Sequence, residues 1–408
     1  MLRRTFVLTA ALLAAGGAVA VPAGAAGGMT LRLPAPTGPH RTGVTTLYLV
    51  DRARRDPWDP AIPVREVMAT VYYPAAAVHG HPVARQLTDG AAELFGTLAP
   101  LMHPELPKAG VDWAATRTHS HRGAPAQPVP RPVLLYSPGG GDPRTLGTTL
   151  AEDLASHGYV VVTVDHPGDA CAVEFPYRTA YRDAVRATVF RGDPRTDPGL
   201  FRTALDTRLA DLRFVQGRLA VVAAGRNPDA AGRPLPAGLG RALDLRRVGA
   251  YGHSAGGTAV AEALYEDRRI AAAVDLEGYL DHPGGAPGQD GELFPVAAHG
   301  VDRPLLLLGT DGFADRAGLE RGWSALLGRS PRHVLRRRLD GAAHWSFTDF
   351  AATAPQLEAA GLMTAAGRAA LVGTAGPART VPAVRHHVRS FFTRHLPAPG
   401  RGAAPAAQ

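Results

Sequence analysis

The 408-residue chain carries one cysteine, Cys171, so no intrachain disulfide can form and packing alone must hold the fold. No cysteine-protease context surrounds that thiol, which reads as a small buried apolar residue. Aromatic residues make up only 6% of the chain, and the basic residues are scattered rather than clustered. With no basic stripe interleaved with aromatics, a nucleic-acid partner is excluded as a reading. Arginine carries almost all of the positive charge behind the formal net of +8, and the densest run, "RHVLRRRL" (Arg332–Leu339), also reads as a strand. Such a surface tolerates transient contact with anionic lipid, and equally describes a solvated face. Beyond the N-terminus no apolar run is long enough to cross a bilayer. Charged residues at 20% and hydrophobic residues at 45% are a globular balance.

What is abundant is glycine (47) and proline (36), which predicts many long loops. The first residues, "MLRRTFVLTAALLAAGGAVAVPAGAAGG", join a short basic start to an Ala/Leu-rich segment and small-residue sites, the pattern of an export signal. Arg3-Arg4-Thr5-Phe6 resembles the twin-arginine type, with the general secretory route left open. Residues 1–28 are read as this signal, 29–396 as one domain, and 397–408, "PAPGRGAAPAAQ", as a low-complexity tail expected to be disordered.

Strand-like runs recur at Val44–Val50, Val64–Tyr73, Pro132–Ser137, Tyr159–Asp165, Arg247–Gly252, Ile270–Leu276, Pro304–Gly309 and His333–Leu339. Several are continuously apolar, as in strands buried on both faces of a parallel sheet. Helical spacing falls between them, at Thr145–Gly158, Phe201–Val222 and Val381–Leu396. This alternation predicts one doubly wound α/β domain with a mostly parallel sheet of about eight strands.

The chemistry centres on "RVGAYGHSAGGTAVAEAL" (Arg247–Leu264). Here an apolar strand runs into Gly252-His253-Ser254-Ala255-Gly256, and a helix pattern follows at once. A nucleophilic serine held on a strained strand-to-helix turn needs small residues two before and two after it, because the turn brings backbones too close for a Cβ. With eight serines and 47 glycines, chance supplies roughly 0.1 such matches. The bland alternative, a phosphate-binding turn, lacks the lysine or the G-x-G-x-x-G spacing.

A serine nucleophile needs a base, and the base an orienting acid, in the chain order Ser, acid, His. Among the histidines after Ser254, His344 lies in "LDGAAHWSFTDF", a Gly/Ala loop directly after the last strand. His386, His387 and His395 fall on the terminal helix and read as surface residues. The acid is open: "AAAVDLEGYL" offers Asp275 and Glu277, and "LLLLGTDGFAD" offers Asp311 and Asp315, each pair at a strand end where such sheets bind ligands. An oxyanion hole needs two fixed backbone N–H groups. Ala255 follows the serine, and "YSPGGGDPRTL" (Tyr136–Leu146) is the glycine-rich candidate for the other. His166, at a strand end near the same face, reads as structural or as a pocket wall, and Trp345 as a pocket wall or a packing residue. "THSHRG" (Thr118–Gly123) has two histidines but no carboxylate or cysteine cluster near it, and reads as a solvated loop rather than a metal site.

Together "YSPGGGDPRTLGTTLAEDLASHGYVVVTVDH", "GHSAGG" and "GAAHWSFTDF" resemble the plasma-type platelet-activating factor acetylhydrolases and their bacterial lipase-like relatives. "ATVYYP" (Ala69–Pro74) fits the same pattern, and the similarity runs in order from about Val44 to Leu396. The resemblance implies an α/β-hydrolase without cofactor or metal that cleaves short or oxidised acyl esters, with Ser254 as nucleophile and His344 as base. It places the oxyanion donors on Gly140 and Ala255. It places the acid 23 residues after the serine, on Glu277, where the family usually has Asp; this departure leaves Asp275 and Asp311 as alternatives. Pro138 departs too, since the family often has His there. The expectation is an exported, monomeric serine esterase for a small-molecule or lipid ester. A polyester or triacylglycerol hydrolase is the alternative, and a non-catalytic binding protein of the same fold the more distant one.

Overall fold

The computed structural model describes residues 28–284 and 289–398. The expected signal and the tail from 399 onward lie outside the described residues. Ten strands form one sheet: β1 (Thr42–Asp51), β2 (Arg65–Pro74), β3 (Val83–Arg85), β4 (Arg117–Arg122), β5 (Arg131–Ser137), β6 (Val160–Val164), β7 (Leu243–His253), β8 (Ile270–Leu276), β9 (Leu305–Thr310) and β10 (Val334–Leu339). Their order is β10-β9-β8-β7-β5-β6-β2-β1-β4-β3. The six strands from β10 to β6 pair in parallel, while β2 runs antiparallel to both β6 and β1.

The eight strand-like runs of the sequence are all strands. The extra two, β3 at the sheet edge and β4 between it and β1, are short strands without a long apolar signature. "THSHRG" is therefore strand rather than loop. Residues i and i+2 of a strand share a face, and here Thr118 and Ser120 are buried while His119 and His121 turn the other way. Each histidine is taken by a backbone carbonyl: His119 Nε2 donates to Leu33 O at 2.9 Å and His121 Nδ1 to His81 O at 2.7 Å.

Among the described residues, eight helices of eight or more residues pack around the sheet: α1 (Asp89–Met102), α2 (Thr148–Ser156), α3 (Pro198–Ala223), α4 (Ala255–Glu266), α5 (Arg316–Arg329), α6 (Phe350–Ala359), α7 (Ala365–Val372) and α8 (Pro377–His395). Among the described residues no helix is long and apolar enough to cross a membrane.

Side-chain alternation explains why the central strands are apolar throughout. In β5, Val133 and Leu135 join one core cluster while Leu134 and Tyr136 join the other. In β9, Leu305 and Leu307 face one way and Leu306 and Leu308 the other. The first face is covered by Leu205, Leu209 and Leu212 of α3, Val260 and Leu264 of α4, and Trp323 of α5. The second is covered by Leu150 and Leu154 of α2 and by Val388, Phe391 and Phe392 of α8. Each such side chain contributes about 1.5–3 kcal/mol by leaving water. A third cluster joins α1, α6 and α7 through Phe95, Phe350 and Leu371.

The strand order reverses at β5. The chain moves outward from β5 to β6, then returns to place β7 on the other side of β5. At such a switch point the loops after the two strands part and leave a crevice. Those loops are the glycine loop after β5 and the Ser254 turn after β7.

Candidate active site

Ser254 sits between β7 and α4 with φ 55° and ψ −124°. Among the described residues only Ser254 and Glu277 (φ 63°) are non-glycine residues at positive φ. Such backbone costs about 1–3 kcal/mol per residue and persists only where surrounding structure enforces it. The flanking glycines are a steric necessity: a Cβ on Gly252 would lie 2.1 Å from Gly256 O, and one on Gly256 would lie 2.0 Å from Ser137 O. Ser254 remains half-buried while its strand is closed off, so it is reachable from the crevice.

Of the candidate acids, Glu277 is the one beside His344. Its Oε2 lies 2.9 Å from His344 Nδ1, and its Oε1 accepts from Thr310 N at 2.5 Å and Thr310 Oγ1 at 2.8 Å. Three donors on one fully buried carboxylate fix its position. With Nδ1–H donated to the carboxylate, Nε2 of His344 carries the free lone pair.

Asp275 does not touch His344. Its Oδ1 accepts from Gly278 N at 2.6 Å, closing the turn that carries Glu277. Burial pushes its carboxyl well above the ordinary range, and the Glu277 charge adds to that. Asp311 lies on the surface and accepts from Gly341 N (2.9 Å) and Ala342 N (3.2 Å), bracing the loop that leads to His344. Asp315 caps α5 through Gly318 N and accepts from the Tyr279 hydroxyl at 2.9 Å.

The glycine loop approaches the serine turn. A Cβ on Gly140 would sit 3.7 Å from Ala255 Cβ and 3.6 Å from Pro194 Cγ. Pro194 belongs to a segment roofing this corner. Its neighbour Arg195 stacks 3.8 Å over the Tyr279 ring and pairs with Asp281 at 3.1 Å. Phe313 lies on the other side, its ring centroid 4.9 Å from that of His344.

Sequence reasoning missed the clamp behind the loop. Arg208 of α3 donates to Pro138 O at 2.6 Å and Gly139 O at 2.9 Å, and pairs with Asp169 at 2.7 Å. Asp169 in turn accepts from Gly141 N at 2.9 Å. Asp142 N is engaged too, donating to Gly139 O at 3.1 Å, so of the amides from Gly139 to Asp142 those of Gly139 and Gly140 have no partner among the described residues. A signal was present: Arg208 shares the apolar stripe of α3 with Leu205, Leu209 and Leu212, and a buried arginine needs partners. His166 belongs to the same backing, between Ser137 Oγ and Asp211 Oδ2, each at 3.0 Å. Burial drives its pKa down, against the pull of Asp211. Trp345 packs edge-on to His103, with ring centroids 4.3 Å apart, and to His253 at 5.0 Å. Cys171 is buried, its thiol pushed well up by burial, and its amide donates to Gly141 O at 2.7 Å.

The family model described as platelet-activating factor acetylhydrolase, isoform II, matches residues 111–188, which hold the glycine loop but not Ser254. A probable 1-alkyl-2-acetylglycerophosphocholine esterase of Arthroderma benhamiae is 27% identical over 271 residues, 64% of this chain and 59% of that protein. The platelet-activating factor acetylhydrolase of Bos taurus is 24% identical over 237 residues, 54% of this chain and 48% of that one. The chain thus spans about half the length of the curated relatives it matches. The solved ferulic acid esterase from Streptomyces cinnamoneus is 31% identical, with a TM-score of 0.64, across 93% of this chain and 97% of that one. The chain belongs to the α/β-hydrolases, with the solved esterase as a relative along its length, and is similar over part of its length to the platelet-activating factor acetylhydrolases.

Proposed function

We propose that the protein is an exported serine carboxylic-ester hydrolase for short-acyl esters of lipids or small molecules, working through an acyl-enzyme. The observation that carries this reading is the 2.9 Å contact of His344 Nδ1 with the buried Glu277 carboxylate, beside a serine on an enforced positive-φ turn. In this mechanism His344 Nε2 takes the Ser254 hydroxyl proton as the oxygen attacks the ester carbonyl. The Gly140 and Ala255 amides receive the oxyanion. His344 then hands its proton to the leaving alkoxide, which departs as the alcohol. Water attacks the acyl-enzyme by the same relay, releasing the acid and restoring Ser254. Glu277 holds the imidazole in its working tautomer and stabilises the transient imidazolium.

The acyl preference has two supported readings. Short acyl groups follow from the acetylhydrolase relatives. An aromatic, hydroxycinnamoyl-type acyl group is favoured by the ferulic acid esterase relative and by the aromatic wall of Phe313, its ring 5.5 Å from Tyr279, beside His344. A panel of acetyl, butyryl, long-chain, feruloyl and polyester substrates, run beside Ser254→Ala, decides. A kcat/KM falling with chain length and low on feruloyl esters supports the first reading; a feruloyl maximum supports the second. A kcat/KM rising to sixteen carbons makes it a lipase, and unchanged activity in Ser254→Ala removes the whole proposal. Export is tested by intact mass: secreted material should begin between residues 21 and 30. Retention of residues 1–20 refutes it.

A further inference from the structure

His253 immediately precedes the nucleophile and ends β7 with its side chain fully buried. Its Nε2 lies 3.0 Å from the backbone oxygen of His344. A carbonyl can only accept, so Nε2 carries the proton and donates it. The two imidazoles are tilted 44° to one another, with ring centroids 4.5 Å apart. The other nitrogen, Nδ1, faces the Asp142 carboxylate across 3.8 Å to Oδ2, and neither atom has a hydrogen-bond partner among the described residues. Asp142 closes the glycine loop, its amide donating to Gly139 O at 3.1 Å, and its Oδ1 lies 3.3 Å from His103 Nε2. The atoms between are packed tight: a Cβ on Gly139 would lie 2.6 Å from Asp142 Oδ2 and 3.1 Å from His253 Nδ1.

We infer that His253 is a positioning residue for the ester hydrolysis proposed above, hydrogen-bonded to the backbone of the base His344 on one side and packed against Asp142 of the oxyanion loop on the other. One imidazole thereby spans the three segments that must keep register: the serine turn, the loop carrying Gly140 and the loop carrying His344. Its hydrogen bond fixes the main chain of His344, as Glu277 fixes its ring. Asp142 also sets the charge balance. Burial and the neighbouring His344 hold His253 below the ordinary imidazole range, while Asp142 and Glu277 act the other way. The flanking His103 and His253 keep the Asp142 carboxyl low in spite of its burial. Asp142 is thus a fixed negative charge one imidazole away from the imidazolium that forms on His344.

The inference rests on the serine-hydrolase reading, and the test separates the two. Steady-state kinetics on an acetyl ester are measured for wild type, Ser254→Ala, His253→Phe, His253→Gln and Asp142→Asn, each with a thermal melt. His253→Phe fills the space without a donor. It is expected to lower kcat about 10- to 100-fold with KM near wild type, as for a small displacement of a catalytic group. His253→Gln restores a donor and should recover most of that loss. Asp142→Asn removes a negative charge facing His253, and through it His344, so the acid limb of the kcat/KM profile should move to lower pH. A His253→Phe enzyme that turns over like wild type overturns the inference, as does a His253→Gln enzyme no better than His253→Phe at equal melting temperature. Should His253→Phe not fold, an unmoved acid limb in Asp142→Asn overturns it instead. Activity surviving in Ser254→Ala would fell the hydrolase reading and this inference with it, whereas loss there with no effect at His253 fells the inference alone.

Discussion

The amide of Ser254 donates to the carbonyl of Leu276 at 2.9 Å. Leu276 ends β8 and immediately precedes Glu277, so the turn holding the serine is hydrogen-bonded to the turn holding the acid. The parallel pairing of β7 with β8 runs through Leu276 opposite His253, and both chains leave the sheet at that level. The two non-glycine residues at positive φ among the described residues therefore stand at neighbouring strand ends, linked through this hydrogen bond.

The acid can be identified by substitution. Glu277→Gln keeps the shape but loses the charge and presents an amide to His344 or Thr310. Loss of the orienting acid costs about 10⁴ in kcat where the fold survives. Asp275→Asn and Asp311→Asn keep an oxygen for Gly278 N and for the 341–342 amides, and should retain kcat within about threefold. Pre-steady-state acylation with a chromogenic acetyl ester, alongside thermal melts, reads this directly. Collapse in Asp275→Asn with a healthy Glu277→Gln would overturn the assignment.

How much of this was legible in the sequence depended on whether a signal was local. The strands at the centre of the sheet showed because burial on both faces makes them continuously apolar, and the serine turn because sterics demand Gly252 and Gly256. His344 followed from its place after the last strand. Glu277 came from family spacing, since local chemistry left Asp275 and Asp311 equal to it; only three-dimensional contact separates a carboxylate on His344 from one closing a turn. β3 at the sheet edge and β4 beside it have little apolar pattern because β3 has no buried residue and alternate residues of β4 meet solvent. The Arg208–Asp169 clamp and the His253–Asp142–His103 chain join residues from 39 to 150 positions apart, which no local window contains.

Gly256→Ala tests the steric argument at the elbow. Its new methyl would meet Ser137 O at 2.0 Å and Pro138 O at 2.5 Å, both backbone atoms at the base of the oxyanion loop. Overpacking of this kind costs typically about 1–3 kcal/mol, and more where backbone must move. The expected outcome is a lower urea midpoint together with a large loss of kcat. A variant that melts and turns over normally would show the turn to be looser than described.

Arg208→Met separates loop placement from chemistry. The substitution leaves Asp169 buried without its cation and frees the carbonyls of Pro138 and Gly139. Breaking a buried pair from one side costs about 3–5 kcal/mol. Unfolding in urea should register that loss, and kcat should fall because the Gly140 amide is no longer held. Arg208→Met with Asp169→Leu removes both charges and should recover stability but not kcat. Recovery of both would mean that the guanidinium stabilises the fold without orienting the loop.

Glu262 gives a prediction on the pH dependence of stability. It lies on α4, 2% exposed, its Oε2 accepting from Val296 N at 3.0 Å while Oε1 has no hydrogen-bond partner. Burial, with Glu266 adding, pushes its carboxyl up from 4.5 to about 7. Between those values the folded chain keeps a proton that the unfolded chain has released. Stability therefore falls as pH rises through this window and levels off above it. Glu262→Gln has no proton to lose and keeps an oxygen for the Val296 amide. Its stability relative to wild type should rise by up to about 3 kcal/mol between pH 4.5 and 7. Urea denaturation of both proteins across that range measures the difference, which cancels every other titrating group common to the two. A difference that stays constant with pH would mean that Glu262 is ionised in the folded state, with the helix turn at Val296 supplying the compensation that burial withholds.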